Sequence, residues 1–291
     1  MKKDGFLLVD KQFGDTSNHE LRVIKKILNQ KKIGHAGTLD PYATGLLIVL
    51  LGRCTKAAQY INQFTKTYEF ELSLGVETST GDREGDPTKE MPVEEYSEQD
   101  LKDTLKGFVG ITEQVPPIFS ALKFKGKPYY HYARKGITIP IASKKIDIKL
   151  IKLISYKDNL INIRVSCGSG TYIRTLAQDI AITLGTVGHA SAIKRISIGS
   201  LHIRDAIILK GINSGLIKNS VKPVAHIFDD YPKVKLDIKS GIMFAQGQSV
   251  SFNLNKESNE TIISVLDADN SFIGLGRYIP GLLLKPVKIF K

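Results

Sequence analysis

Hydrophobic and polar positions along this chain follow two periods in turn, and the switches between them mark its elements. Residues 6–10 and 46–51 are short apolar runs of strand length. The second contains no polar residue and has the pattern of a strand buried on both faces. Residues 67–74 alternate instead, with Tyr68, Phe70, Leu72 and Leu74 on one face and polar partners on the other, as in a half-buried strand. Leu21, Ile24, Ile27 and Leu28 recur at helical spacing behind an S-x-x-E capping box formed by Ser17 and Glu20. A second helix is predicted from a Ser97/Asp100 cap to about Phe108. A third spans residues 171–184, where Ile173, Leu176, Ala177, Ile180 and Leu184 share a face and Gly185 closes the run. Residues 57–64 fit a short helix. Residues 145–156 and 160–167 pair as a hairpin around Lys157-Asp158-Asn159, and residues 193–203 form another strand.

The stretches between these elements differ in kind. Residues 34–44 are rich in Gly, Pro, Thr and Asp and read as a loop. Residues 77–95 are a polar surface excursion. Residues 112–140 combine Pro-Pro, Lys-Gly-Lys-Pro and several aromatic residues with lysines and arginine, an inserted basic-aromatic segment. The composition shifts near residues 223–232. Beyond it, short strands over 249–254, 261–266 and 271–275, with a turn at 267–270, predict a small all-β unit.

With 291 residues, 42% hydrophobic and 24% charged, the chain can build one large domain and a small one, and disorder over most of its length is excluded. The formal net charge of +12 favours a polyanionic partner. Cys54 and Cys167 have no CxxC or Cys/His neighbourhood, so they imply no zinc site and read as thiols of a reducing compartment. The start, MKKDGFLLVDKQ, lacks an apolar stretch of signal-peptide length, and no run is long enough to span a bilayer; a cytoplasmic location is expected.

The chemistry concentrates in Gly34-His35-Ala36-Gly37-Thr38-Leu39-Asp40-Pro41, which leads directly into the buried strand. Two glycines and a proline fix an irregular backbone and present one carboxylate between them. Neither GxxxxGK[ST] nor GxGxxG is present, so this is not a phosphate loop of either kind. Spacing alone leaves two readings open: a turn aspartate before a proline, or a reactive carboxylate on a rigid mount.

The motif GHAGTLDPYATGLL resembles the signature GHxGTLDPxATGxL of the bacterial tRNA pseudouridine-55 synthases, the TruB family. LLVDKQFGDTS, TKTYEFELSLG, QVPPIFSALKFKGKPYYHYARKG and SCGSGTYIRTLAQDIA resemble other stretches of the same family, in order. DNSFIGLGRY and LLLKPVKIF resemble a PUA-type RNA-binding unit, so the likeness covers nearly the full chain. Two positions depart from the family pattern: Lys11-Gln12 stands where Lys-Pro is usual, and Ile193-Lys194-Arg195 where Leu-Arg-Arg is frequent.

The resemblance implies an α+β fold: a pseudouridine synthase catalytic domain over residues 1–230, and a PUA-like RNA-binding domain over residues 231–291. The catalytic domain would be a mixed, largely antiparallel sheet flanked by helices, with a thumb-like insertion at about 112–140. It implies that Asp40 is the essential ionised carboxylate, that Arg174 pairs with it, and that Tyr68 stacks on the target base. Tyr172 would be a further pocket contact and Ile193 an apolar wall. His35 would occupy space left by extruded nucleotides, and Lys11 would serve as a structural or phosphate contact. Lys123, Lys125, Lys127, Tyr129, Tyr130 and Arg134 would grip the RNA backbone as a cluster. No cofactor or metal is implied. The expected partner is tRNA, met through its T-arm by a monomer with no obligatory protein partner. Other readings are a non-catalytic RNA-folding module, alone or alongside catalysis, and a guide-RNA-dependent synthase; the basic-aromatic insertion resembles the stand-alone type.

Overall fold

The computed structural model describes residues 4–252, 261–279 and 283–291. Its frame is a nine-stranded sheet: β1 Gly5–Lys11, β2 Ile33–Ala36, β3 Thr44–Leu51, β4 Lys66–Leu74, β5 Gly110–Gln114, β6 Lys144–Lys157, β7 Leu160–Cys167, β8 Gly188–Ile198 and β9 Leu201–His202. The order is β1-β3-β8-β4-β7-β6-β5, with β2 added to β3 and β9 to β8. Every pairing in this sheet is antiparallel except β3 with β8, which meet only at Thr44/Lys194 and Gly45/Arg195. The mixed, largely antiparallel sheet expected from the sequence is therefore present.

The uninterrupted apolar runs have a simple cause. One set of alternate side chains, Leu7, Val9, Leu47, Val49 and Leu51, packs with Ile24 of helix α1 (Ser17–Ile27) and with Leu209 and Ile217. The other set, Phe6, Leu8, Leu46, Ile48 and Leu50, packs with Cys54, Ile61, Phe228, Leu275 and Phe290. Strands covered on both faces need no polar positions. A further core joins β4, β6, β7 and β8 to helices α2 (Glu98–Lys106) and α3 (Ile173–Thr183). The α2 capping box of Ser97 and Asp100 forms as its sequence predicts.

Several boundaries differ from the sequence reading. The N-cap of α1 is Thr16, whose hydroxyl accepts from the His19 amide, while Ser17 is the buried first residue of the helix. Residues 33–36 are a strand, because they pair antiparallel with residues 48–51 of β3, so the loop shrinks to residues 37–43. The polar stretch 77–95 holds a small hairpin, Val76–Thr78 with Pro87–Glu90, whose connection docks on β8 through the Ala190 amide and the Gly81 carbonyl. Residues 110–114 belong to the sheet edge, so the insertion starts after Gln114. It contains a two-residue strand pair, Lys123–Phe124 with Lys127–Pro128, and a one-turn helix, Tyr129–Ala133.

The C-terminal unit is a five-stranded sheet of β10 Lys233–Lys235, β11 Val250–Ser251, β12 Thr261–Leu266, β13 Phe272–Ile279 and β14 Leu283–Ile289, in the order β10-β12-β13-β14-β11. Part of the expected strand 249–254 lies outside the described residues. The unit also carries helix α4 (Ile238–Ala245), capped by Asp237, which the strand pattern did not reveal. Phe228 stacks on Phe272 at 5.8 Å and 23°, and both lie against Phe290, so this unit shares a core with the large sheet.

Candidate active site

The loop carrying Asp40 is held from three sides. Gly37 has φ +78°, and a side chain there would meet the Arg195 guanidinium at 3.2 Å. The Arg195 Nε donates to the Leu46 carbonyl at 2.7 Å and its Nη2 to the Gly37 carbonyl at 2.9 Å. Ser17 holds the loop's middle: its Oγ donates to the Leu39 carbonyl at 3.1 Å and accepts from the Leu39 amide at 3.0 Å. The Lys11 ammonium, fully buried, donates to the carbonyls of Gln12, Asp15 and Pro41. Of the two roles left open for Lys11, the structural one matches this geometry. The Gln12 side chain closes the same turn on the Asp10 carbonyl at 3.0 Å, where the family usually has proline.

Arg174 stands in the first turn of α3, whose N-cap residue Tyr172 makes no side-chain cap. A cation at a helix N-terminus opposes the helix dipole, so its burial requires anions. Two supply them. Asp40 Oδ2 lies 3.2 Å from Arg174 Nε, and Asp82 Oδ2 lies 3.4 Å from Nη1. Two further guanidinium hydrogens go to carbonyls, Nη1 to Thr80 at 2.9 Å and Nη2 to Phe119 at 2.8 Å. Arg174 thus fastens the loop, the small hairpin and the root of the insertion to α3. Its side chain and that of Asp82 are each 6% exposed, whereas the Asp40 carboxylate is 44% exposed and opens into the cleft. Burial raises the Asp40 pKa above the ordinary aspartate value. Arg174 draws it down, Asp82 pushes it up and Lys11 draws it down, but burial is the largest influence.

The cleft encloses about 410 Å³. Asp40, Tyr68, Tyr172, Arg174 and Ile193 all line it, from the loop, β4, the start of α3 and β8. Tyr68 and Ile193 are buried at 9% and 7% exposure, and burial raises the Tyr68 phenol pKa. The peptide of Tyr172 is clamped by Gln114 of β5, whose Oε1 accepts from its amide at 2.8 Å and whose Nε2 donates to its carbonyl at 3.1 Å. A second compartment shares Asp40 and Arg174 and extends past Asp82 to Tyr130 and Arg134 of the insertion, where the guanidinium lies 5.5 Å from the tyrosine ring.

Two expected site residues lie elsewhere. Lys11 is beneath the loop. His35 sits in β2 opposite Val49, outside the lining of either compartment. Its Nδ1 is buried without a hydrogen-bond partner among the described residues, and burial, then Arg195, lowers its pKa. Sequence reasoning missed Asp82, Ser17 as a loop anchor, Gln114, Lys66 and Arg195. Lys66 was within reach of the strand period, because it lies two residues before Tyr68 on the same face. Asp82 carried no such signal, standing in a polar turn among other charged residues.

The sequence also matches known proteins. Residues 25–173 match the family model described as TruB family pseudouridylate synthase, N-terminal domain, and residues 232–289 match that of pseudouridine synthase II TruB, C-terminal. A relative from Hydrogenovibrio crunogenus named tRNA pseudouridine synthase B is 38% identical, covering 99% of this chain and 94% of the relative. One of the same name from Nitrosococcus oceani is 37% identical over 94% of this chain and 90% of its own. Among solved structures, a Cbf5-Nop10-Gar1 complex has a chain that superposes with a TM-score of 0.76 at 22% identity, covering 99% of this chain and 85% of that one, a likeness of fold. Near-full-length relatives and two family models agree: the chain belongs to the TruB family of pseudouridylate synthases.

Proposed function

We propose that this chain isomerises the T-loop uridine, uridine 55, of tRNA to pseudouridine, as a single chain without guide RNA or cofactor. The observation that carries the reading is the Asp40 carboxylate, the half-exposed member of an otherwise buried Arg174–Asp82 cluster, facing a cleft of about 410 Å³ that has room for a nucleoside. The relatives' name supplies the RNA class.

The residues divide the work by their chemistry. Burial disfavours the Asp40 charge, and the Arg174 pair opposes burial by favouring the carboxylate, the form that can serve the ribose or the base as nucleophile or base. A uridine within a folded loop reacts only once it leaves its stack, at a cost of a few kcal/mol. Stacking on Tyr68 against the Ile193 wall returns about 1–3 kcal/mol. Lys123, Lys125, Lys127 and Arg134 on the insertion, with Tyr129 and Tyr130 among them, supply phosphate and stacking contacts at the mouth. The C-terminal unit adds a PUA-like surface for the same RNA. Among the described residues no helix is long and apolar enough to cross a membrane.

The test is to treat an unmodified tRNA transcript with the enzyme and map pseudouridine by mass spectrometry. Product at the single T-loop uridine is expected, and product spread over other uridines, or dependence on added guide RNA, would overturn the reading.

A further inference from the structure

The cleft contains two cations that the Asp40–Arg174–Asp82 cluster leaves out. Lys66 and Arg195 both line it, at 8% and 1% exposure. Lys66 lies two residues before Tyr68 on β4, and Arg195 on β8 stands directly across from Tyr68 in the sheet register, so the three share a face. Among the described residues neither cation is in an ion pair. Lys66 Nζ donates to the carbonyls of Asn62 and Phe64, each at 2.7 Å. Arg195 donates to the carbonyls of Leu46, Thr38 and Gly37, and its guanidinium also hydrogen-bonds the Tyr68 phenol that faces the same cleft.

Buried cations normally have a carboxylate beside them, because carbonyl dipoles replace lost hydration only in part. Here the neighbours make matters worse. Burial first, and then the Arg195 charge, lowers the Lys66 pKa to about 8. The opposing neighbour is Cys167, directly across the strand pair, whose own burial pushes the thiol up to about 11. Two like charges are thus held at one wall of the cleft, and Asp40 and Asp82 are committed to Arg174.

We propose that Lys66 and Arg195 are the electrostatic counterpart of the base: they stabilise the negative charge that uracil carries while it is detached from the sugar. The inference rests on the proposed reaction. When the N1–C1′ bond breaks, its electron pair stays on the ring and spreads from N1 to O2 and O4. The ring turns, a ring electron pair forms the C5–C1′ bond, C5 loses its proton and N1 gains one. No electrons enter or leave overall, and the charge exists only between the two bonds. Fixed cations aimed at a charge that develops during reaction accelerate it without tightening ground-state binding. Phosphodiesters are the other anions this RNA offers. The depth of both groups beside Tyr68, with Arg134 of the insertion lining the neighbouring, more outward compartment, favours the base.

The experiment compares wild type, Lys66→Met and Lys66→Arg on unmodified tRNA transcript, measuring single-turnover rate, tRNA affinity and the pH profile. Lys66→Met should lose about 10²–10³ in rate with little change in affinity. Lys66→Arg should recover most of the rate. The wild-type rate should fall as pH rises through about 8, where Lys66 loses its proton, and that limb should move upward in Lys66→Arg. A variant Lys66→Met that loses affinity but keeps its single-turnover rate would mark a phosphate contact and overturn the inference. An alkaline limb unchanged in Lys66→Arg would overturn it too, even if Lys66→Met fails to fold. Wild-type turnover is the control: its absence would sink the proposed reaction, whereas its presence with an indifferent Lys66 would sink only this inference.

Discussion

Arg174 and Asp82 form an ion pair at 3.4 Å in which each side chain is 6% exposed, and the catalytic candidate Asp40 is attached to that pair rather than buried within it. The arginine's position is therefore fixed by Asp82 and two carbonyls before any RNA arrives. Asp82→Asn keeps the shape and removes the charge. A guanidinium freed to shift by an ångström should cost about 10²-fold in single-turnover rate, with tRNA affinity unchanged. The same variant should alter the pH profile. On the proposed reaction the Asp40 carboxylate is required, so the rate should fall as pH drops through its raised pKa. Removing the Asp82 charge removes one cause of that rise, and the acid limb should move to lower pH. A limb that stays in place would separate Asp82 from Asp40.

Ser17→Ala tests the anchoring of the loop that carries Asp40. The substitution leaves the Leu39 amide and carbonyl without the hydroxyl that serves both, in a buried position. A loss of about 1–3 kcal/mol of stability is expected. The rate should fall about tenfold or more at unchanged affinity; a wild-type rate in a destabilised variant would mean that the loop does not depend on this contact.

Gly45 and Gly14 make a paired test of the strand crossing. Both have positive φ, +101° and +84°, but a side chain at Gly45 would lie 2.4 Å from the Arg195 carbonyl oxygen, while Gly14 faces open space. Gly14→Ala should cost only the conformational strain of about 1–2 kcal/mol. Gly45→Ala should prevent the parallel meeting of β3 and β8 and yield little soluble protein. Equal thermal stability of the two variants would contradict the register described.

Tyr42, in the variable position of the loop motif, is 2% exposed, and its hydroxyl has no hydrogen-bond partner among the described residues. Tyr42→Phe should leave the melting temperature equal or higher and the rate within about twofold. A tenfold loss of rate would show that the hydroxyl finds a partner in the RNA-bound enzyme.

The strands and helices with strong periodicity were legible in the sequence: Lys66–Leu74 alternates as buried and half-buried positions, and Ile173–Thr183 buries the face its spacing predicts. The Asp40–Arg174 pair was expected only through the family likeness, since an arginine in a helix's first turn has no local mark of burial. What escaped depends on long-range contacts. Ser17 looks like a cap, yet its hydroxyl is engaged 22 residues away, so Thr16 takes the cap. His35 looks like a loop residue until β3 offers it a strand partner. Phe228, Phe272 and Phe290 are far apart in sequence and together bind the C-terminal unit to the large sheet. Cutting the chain near residue 232 would consequently expose a core, and the RNA contribution of that unit is better tested by replacing its surface lysines.

The most direct measurement is single-turnover pseudouridine formation by Asp40→Asn on unmodified tRNA transcript, alongside its tRNA affinity and melting temperature. Because burial raises the Asp40 pKa, holding this carboxylate ionised costs stability. The cost is absent at low pH, grows as pH rises through the ordinary aspartate range and is complete above the raised pKa. The variant should therefore bind tRNA like wild type, melt no lower at pH 7, and form no pseudouridine. Product at the wild-type rate from a folded Asp40→Asn protein would contradict the assignment of Asp40 as the group on which the chemistry depends.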